Sequence, residues 1–215
     1  MFRKPFVQIL FTIVVLANLV AGCSLLIYAQ NPNSGTSSGV YDYPIRPGTE
    51  EWKALYSFND MLEACQIPEN VLESMSTSAL VETVLDYPLL SVYTAHNDWQ
   101  QGFDMLVSNF NGLKELFNRR DAGSELLDKY IAIDPEIVEL KWGDFEKCAF
   151  LVSMYDLQMI LSQQSVLEQL SEHQAQVLLS ETERKHQLLQ NHPEVYGVLG
   201  SKFISMLTQK ILATS

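Results

Sequence analysis

Four histidines are the only side chains whose ordinary pKa lies near neutral pH, so they are the first candidates for acid-base or metal chemistry. They are His96, His173, His186 and His192. A metal site needs several ligands at close spacing, but neither a His-Glu-x-x-His nor a Cys-x-x-Cys pattern occurs in the chain. His173 and His186 lie in a strongly charged stretch, and His192 directly precedes a proline. We therefore predict surface or helix-end positions for these three, and neither a metal nor another cofactor.

Carboxylates are plentiful but scattered. Pairs occur at Glu50 and Glu51, at Glu136 and Glu139, and at Glu181 and Glu183, where helix starts or solvent-facing helix surfaces are predicted. Hydrolysis needs a matched acid and base, and no spacing in the sequence singles out such a pair. No catalytic residue is therefore predicted, although Asp, Glu and His residues could still converge in the fold.

The segment Gly35-Thr36-Ser37-Ser38-Gly39 fits the pattern G-x-S-x-G of a nucleophilic serine. That chemistry requires a strand before the serine and a helix after it, so that the hydroxyl is held in a strained turn. The flanking residues favour neither element. A tract rich in Ser and Gly produces this pattern by composition alone, so we interpret it as a linker.

Three cysteines have different predicted fates. Cys23 ends a long apolar run, whereas Cys65 and Cys148 fall in the helical part of the chain. In an oxidising compartment, Cys65 and Cys148 could form a disulfide that ties the early helices to a central one. The alternative is two buried thiols, with Cys148 on an apolar helix face. The sequence leaves both open.

The first 29 residues indicate export or membrane insertion. Arg3 and Lys4 precede a run from Phe6 to Ala29 that carries no charge. Cations before an apolar helix hold its amino end on the cytoplasmic side, and the helix satisfies its own backbone in hydrocarbon. We therefore predict that residues 30–215 lie outside the cytoplasm.

Within this run, Val20-Ala21-Gly22-Cys23 resembles the lipobox of bacterial lipoproteins. The resemblance implies cleavage before Cys23 and a lipid on its thiol, which would make the membrane a partner of the chain. Two alternatives remain. The whole run is long enough, at about 1.5 Å per residue, to stay as an uncleaved anchor across ~30 Å of hydrocarbon. Secretory cleavage after Ala29 would instead release the protein.

The charge balance excludes one class of partner. The chain has 14 Lys and Arg against 26 Asp and Glu, a net charge of -12. Such a surface repels phosphate backbones, so nucleic acid is not expected, whereas a protein partner is compatible with it. Two basic pairs, Arg119 with Arg120 and Arg184 with Lys185, are predicted to lie on solvated helix faces.

Residues 30–48, QNPNSGTSSGVYDYPIRPG, are predicted to form a polar linker because they are dense in Asn, Pro, Ser and Gly. In its later part, Tyr41 and Tyr43 alternate with other residues in an extended segment. We predict that these rings pack against the following domain as an ordered lead-in, rather than forming a ligand-binding aromatic pair.

Residues 49–215 are predicted to form one all-α domain. The sequence has no alternating β-branched run bounded by Asn-Gly or Asp-Gly, the pattern that would predict a hairpin. Short polar side chains mark helix starts at Ser57, Ser76, Asn97 or Asp98, Asn111 and Asp134. Three Pro-Glu pairs place a proline at the first helical position, at Pro68, Pro135 and Pro193.

Hydrophobic periodicity assigns the later helices to the centre or the outside. Residues 143–163 are apolar nearly all round, which predicts a central helix. Residues 171–190 carry Leu178, Thr182 and Leu189 on one side and charged residues opposite, which predicts an outer helix. Near the end, Gly200 would permit a neighbouring element to approach closely.

A weak internal repeat relates residues 78–90 to residues 124–137 at an offset of about 46, which resembles the spacing of HEAT and armadillo repeats. The resemblance implies a short α-solenoid that binds along a concave face. An irregular helical bundle is the alternative fold. We expect an exported, membrane-tethered helical protein that acts by binding or as a structural part of the cell envelope, with an envelope hydrolase as the alternative.

Overall fold

A computed structural model describes residues 39–135, 143–191 and 193–214 of the chain. Cys23 and the rest of the signal lie outside these residues, as do Glu136, Glu139 and His192. Helices dominate the described part and no strand occurs in it, which confirms the all-α prediction. None of the helices in this part is both long and apolar enough to cross a membrane.

The chain divides into two compact units, Met1–Leu116 and Phe117–Ser215. The sequence-based expectation of one domain over residues 49–215 stays a prediction. We call the two parts the N-terminal and C-terminal units. Residues 40–48, assigned to the linker from sequence, make hydrogen bonds within the N-terminal unit and belong to it.

The N-terminal unit is built from short helices. In chain order they are α1 (Glu50–Lys53), α2 (Phe58–Ala64), α3 (Glu69–Ser74), α4 (Thr77–Leu85), a 3₁₀ helix (Leu90–Ala95), α5 (Trp99–Asn109) and α6 (Asn111–Asn118). The last of these extends two residues past the boundary between the units.

Side-chain caps explain where these helices begin. The Ser57 hydroxyl accepts from Asp60 N in a full capping box, and the Ser76 hydroxyl accepts from Ala79 N. The Asp98 carboxylate accepts from Gln100 N and Gln101 N in the first turn of α5. These three predicted starts are confirmed, since each cap satisfies amides that have no partner inside the helix.

Two other start predictions need correction. Pro68 precedes α3 in an extended conformation (φ -55°, ψ 136°), so α3 begins one residue later than predicted, at Glu69. Asn111 does begin α6, but its side chain does not act as a local cap. Its Oδ1 accepts from Ile67 N (3.1 Å) and its Nδ2 donates to Ile67 O (2.7 Å), which fixes α6 against the segment before α3.

The core of the N-terminal unit forms where α5 packs along the 3₁₀ helix. Tyr93 and Phe103 are fully buried and meet edge to face, with ring centroids 5.7 Å apart. Gly102 makes this approach feasible. A Cβ at this position would lie 2.7 Å from the backbone oxygen of Tyr93 and 2.8 Å from the His96 ring. Any larger residue would force these two elements apart.

The C-terminal unit has longer helices. They are α7 (Ala122–Ala132), α8 (Asp144–Leu161), α9 (Gln164–Leu167), α10 (Glu172–Asn191) and α11 (Pro193–Thr214). The start of α11 at Pro193 agrees with the sequence prediction.

Helix α8 lies at the centre of this unit, as its all-round apolar pattern predicts. Every residue from Met154 to Ser162 is buried, and α8 packs against both α7 and α11. The rings of Tyr155 and Phe203 stack with centroids 4.8 Å apart. Gly200 lies beneath this contact, where a Cβ would be 3.1 Å from the Tyr155 hydroxyl, so the predicted close approach at Gly200 is confirmed.

Candidate functional site

Residues 40–48 form an extended segment on the surface of the N-terminal unit, which we call the strap. It is bounded by two glycines with positive φ, Gly39 (114°) and Gly48 (96°). At its carboxyl end, Thr49 N donates to Arg46 O (3.1 Å) and closes a turn through Pro47 and Gly48. A proline followed by a glycine with positive φ is typical of a type II turn.

The two strap tyrosines pack against α4 and the residues after it. Tyr41 N donates to Thr83 Oγ1 (3.0 Å), and the Tyr43 hydroxyl donates to Thr83 O (3.2 Å). Tyr43 is buried, with its ring 5.2 Å from that of Tyr41 and 5.8 Å from that of Tyr87, measured between centroids. The prediction that these rings pack against the domain is therefore confirmed.

Arg46 clamps the strap to the end of α4. Its guanidinium donates to both carboxylate oxygens of Asp86 (3.2 and 2.5 Å) and to Asp42 (2.8 Å). Burial alone would lower the pKa of Arg46, but the hydrogen bonds to the two carboxylates outweigh it and raise that pKa. Paired charges of this geometry are stronger than neutral hydrogen bonds and are directional.

Beneath the strap lies the thiol of Cys65, which is fully buried. Its Sγ is 4.0 Å from Ile45 O, and burial raises the pKa of the thiol to about 12, an effect that Arg46 partly opposes. Two polar atoms in the same unit, Trp52 Nε1 and the Tyr87 hydroxyl, are buried and find no hydrogen-bond partner among the described residues.

The two cysteines left open by sequence are both free thiols in the structure. Cys65 is buried, as the thiol alternative requires. Cys148 is exposed, which corrects the expectation that it lies on a buried helix face. The reason is its place near the start of α8, because continuous burial of that helix begins only at Met154.

The C-terminal unit contains a buried lysine that the sequence analysis assigned to a solvated face. Lys185 is fully buried, with Nζ 3.2 Å from Glu181 Oε2 and 4.7 Å from the centroid of the Tyr130 ring. Burial lowers the pKa of Lys185, although Glu181 partly offsets this. The residue falls in register with Leu178 and Leu189 on the inner face of α10, which explains why it points inward.

Tyr130 connects this lysine to the central helix. Gln158 Nε2 on α8 donates to the Tyr130 hydroxyl (3.1 Å), and burial raises the Tyr130 pKa. The other amide atom, Gln158 Oε1, is buried and has no hydrogen-bond partner in the described part of the unit. Because Tyr130, Gln158 and Lys185 are all buried, this cluster joins α7, α8 and α10 internally and presents no reactive atom to solvent. Perturbed pKa values in such networks often have structural causes.

A groove of about 370 Å³ runs between α10 and α11. Its lining consists of Glu183, His186, Gln187, Ile204, Ser205, Thr208 and Gln209. The set contains the side-chain types of a Ser-His-Glu hydrolytic triad, for which His186 would have to bond to Ser205. Instead, His186 Nε2 lies 2.8 Å from the Gln190 amide nitrogen, and its buried Nδ1 finds no hydrogen-bond partner in the described residues. The groove therefore brings these residue types together without the hydrogen bonds that catalysis needs.

The remaining candidates have simpler positions. His173 is exposed, as predicted, and His96 packs on Gly102 at the end of the 3₁₀ helix. Glu50 and Glu51 occupy the first turn of α1, also as predicted. Within the described ranges, no group of three or more His, Cys, Asp or Glu side chains is placed to hold a metal ion.

Comparison of the chain with protein-family models, with curated proteins and with solved structures finds no match.

Proposed function

We propose that the chain is an extracytoplasmic protein held to the membrane by a lipid on Cys23, and that it acts by binding another protein. The observation that carries the proposal is the strap. Sixteen residues separate Cys23 from Val40, and most of them are small or polar, a composition typical of linkers; we call residues 24–39 the tether. The strap joins that tether to the folded N-terminal unit by the Arg46 clamp and the buried Tyr43 ring.

The length of the tether limits the distance of the N-terminal unit from the membrane. Fully extended, sixteen residues span at most about 55 Å, and a flexible chain of that length averages about 20–24 Å end to end. A lipid at Cys23 would thus keep the unit near the bilayer without embedding it. The strap fixes which part of the unit faces the tether.

The charge of the N-terminal unit supports a binding role and indicates the class of partner. Residues 39–116 contain twelve Asp and Glu against three Lys and Arg. Two of these cations, Arg46 and Lys53, form ion pairs with carboxylates of the same unit. The excess negative charge repels anionic lipid headgroups and attracts a basic protein surface. We therefore propose a protein partner with a cationic patch.

Palmitate labelling and membrane fractionation test the anchor. Wild type, Cys23→Ala and Cys148→Ala are compared, the last as a matched control because Cys148 is an exposed thiol of the folded part. Wild type and Cys148→Ala should incorporate label and pellet with membranes, whereas Cys23→Ala should do neither. Membrane retention of Cys23→Ala without label would indicate an uncleaved helix instead, and a soluble, unlabelled wild type would refute the anchor.

Chemical cross-linking in isolated membranes tests the partner. The cross-linked protein should carry a basic surface, and the yield should fall as salt is raised, because exposed charges are screened over about 10 Å at 0.1 M. A cross-link whose yield does not change with salt would contradict an electrostatic interface.

A further inference from the structure

Residues of the strap lie over one side of the Cys65 thiol. Ile45 O is the atom 4.0 Å from its sulfur, and Arg46 is close enough to affect the thiol pKa. Burial first, and the neighbouring Cys65 second, raise the pKa values of Tyr41 in the strap and of Tyr87 below it. The thiol is thus enclosed between the strap and the helical body of the unit.

The strap is attached by few contacts. All nine of its residues are described and none is helical. Among the described residues, its links to the helical body include the two bonds to Thr83, the Tyr43 ring against Tyr87, the Arg46 clamp to Asp86 and the contact of Cys65 Sγ with Ile45 O. Segments with few buried contacts open locally at lower free energy than the whole fold.

The caps at the amino ends of α1 and α4 do not come from the strap, although strap residue Tyr43 donates to Thr83 O in the last turn of α4. Helix α1, which follows directly, is capped by the Thr49 hydroxyl accepting from Trp52 N (3.2 Å). Helix α4 is capped at its start by Ser76, far from the Asp86 contact at its end. Loss of the strap would therefore leave these helix caps intact.

We propose that the strap is a latch, which opens as a unit about the Pro47-Gly48 turn while the helices stay folded, and that opening uncovers the Cys65 thiol. The Arg46 clamp holds this latch closed. Because the amino end of the strap continues into the tether, a load on the tether acts first on the two bonds to Thr83 and then on the Arg46 clamp. The device is a property of the N-terminal unit and does not depend on a lipid at Cys23.

Thiol labelling of the full chain in detergent tests the latch. A Cys148→Ser background removes the exposed thiol, and mass spectrometry of peptides assigns the label to Cys65 rather than Cys23. Arg46→Ala should accelerate maleimide labelling of Cys65 by about tenfold or more, since a tenfold change corresponds to about 1.4 kcal/mol. Asp42→Asn should accelerate it less, because the bond from Arg46 to Asp86 remains. The matched control is Lys53→Ala, which breaks an exposed ion pair of the same unit outside the strap and should leave the rate unchanged.

The urea dependence of labelling separates the latch from global unfolding. A local opening exposes little surface, so the labelling rate of Cys65 should hardly change at low urea while helical circular dichroism stays constant. The proposal is overturned if labelling follows the same urea dependence as unfolding, or if Arg46→Ala accelerates labelling only in proportion to its loss of global stability.

Discussion

Arg46 in the N-terminal unit and Lys185 in the C-terminal unit both lie beside an aromatic ring, but they differ in how their charges are paired. Arg46 lies at the edge of the N-terminal unit, bonded to both oxygens of Asp86 and to Asp42. Lys185 lies inside the C-terminal unit, with one carboxylate oxygen and the face of Tyr130 as its neighbours. The pKa of Arg46 is raised and that of Lys185 is lowered.

The opposite pKa shifts of Arg46 and Lys185 show that two basic residues can make opposite contributions to the stability of the folded state. Hydrogen bonds to two carboxylates favour the charged form of Arg46 by more than its burial disfavours it. For Lys185, removal from water disfavours the charged form by more than Glu181 and the ring favour it. The charge of Arg46 therefore raises the free energy of unfolding of the N-terminal unit. The buried charge of Lys185 lowers that of the C-terminal unit, and the surrounding packing offsets this loss.

The largest expected effect concerns the ring beneath Lys185. Tyr130→Ala should destabilise the C-terminal unit by about 3–5 kcal/mol, because it leaves a cavity in the core and removes the ring face from the lysine. Hydrogen exchange followed by mass spectrometry measures this in peptides of α7, α8 and α10. Tyr130→Phe is the control, since it keeps the ring and loses only the hydroxyl with its bonds to Gln158 and Thr182, for about 1–2 kcal/mol. Equal losses in both variants would mean that the hydroxyl, not the ring, supports the lysine.

The next effect reverses sign between the units. Lys185→Met keeps an unbranched apolar side chain and removes the buried charge, so it should stabilise the C-terminal unit by about 1 kcal/mol. Glu181 keeps Arg184 as a partner (3.0 Å) after this change. Arg46→Met should destabilise the N-terminal unit by about 1–3 kcal/mol, because Asp86 loses its charge-assisted bonds. Denaturant unfolding, followed by hydrogen exchange in each unit, measures both changes in stability. A shift in the same direction for both variants would contradict the difference between the two cations.

The pH dependence of stability should also separate the two cations. Lys185 has a lower pKa folded than unfolded, so its unfavourable contribution is fully present below the folded pKa. That cost is relieved as pH rises from the folded pKa toward the unfolded value of about 10.5, since the unfolded state then binds more protons. The advantage of Lys185→Met over wild type should therefore shrink with rising alkaline pH.

The difference between wild type and Lys185→Met is the correct quantity because Tyr130 acts in the opposite direction. Its raised pKa makes the unfolded chain ionise first, which lowers stability at high pH in both proteins. A constant difference between the two proteins from pH 7 to pH 10 would contradict the assignment of Lys185 as a buried, charge-disfavouring position.

The smallest expected effect sets the scale for exposed ion pairs. Lys53 pairs with Glu50 at 2.6 Å, but both side chains are mostly exposed. Lys53→Ala should change the stability of the N-terminal unit by no more than about 0.5 kcal/mol. Thermal unfolding of this variant beside Arg46→Met measures how much partial burial strengthens an ion pair. If Lys53→Ala lost as much stability as Arg46→Met, the Arg46 clamp would be no stronger than an exposed ion pair.

Local sequence signals predicted the helices well and the environment of single polar residues poorly. Ser57, Ser76 and Asp98 act on amides a few residues away, so their roles are visible in the sequence. Lys185 was assigned by its residue type, although its spacing from Leu178 and Leu189 places it on the buried face. Periodicity was the better guide at that position.

The strap was merged with the tether because both lack helical periodicity. Its partners, Thr83 and Asp86, lie about 40 residues away, and such contacts leave no local pattern in a sequence. The alternating tyrosines were the one signal that residues 40–48 differ from the Ser- and Gly-rich part before them.

The mass of the amino-terminal peptide of the protein extracted from membranes tests the central claim most directly. We expect a peptide that begins at Cys23 and carries a thioether-linked diacylglycerol, followed by the unmodified tether and strap. A peptide that begins at Gln30, or one in which Val20 to Cys23 remains joined to the preceding apolar run, would contradict it.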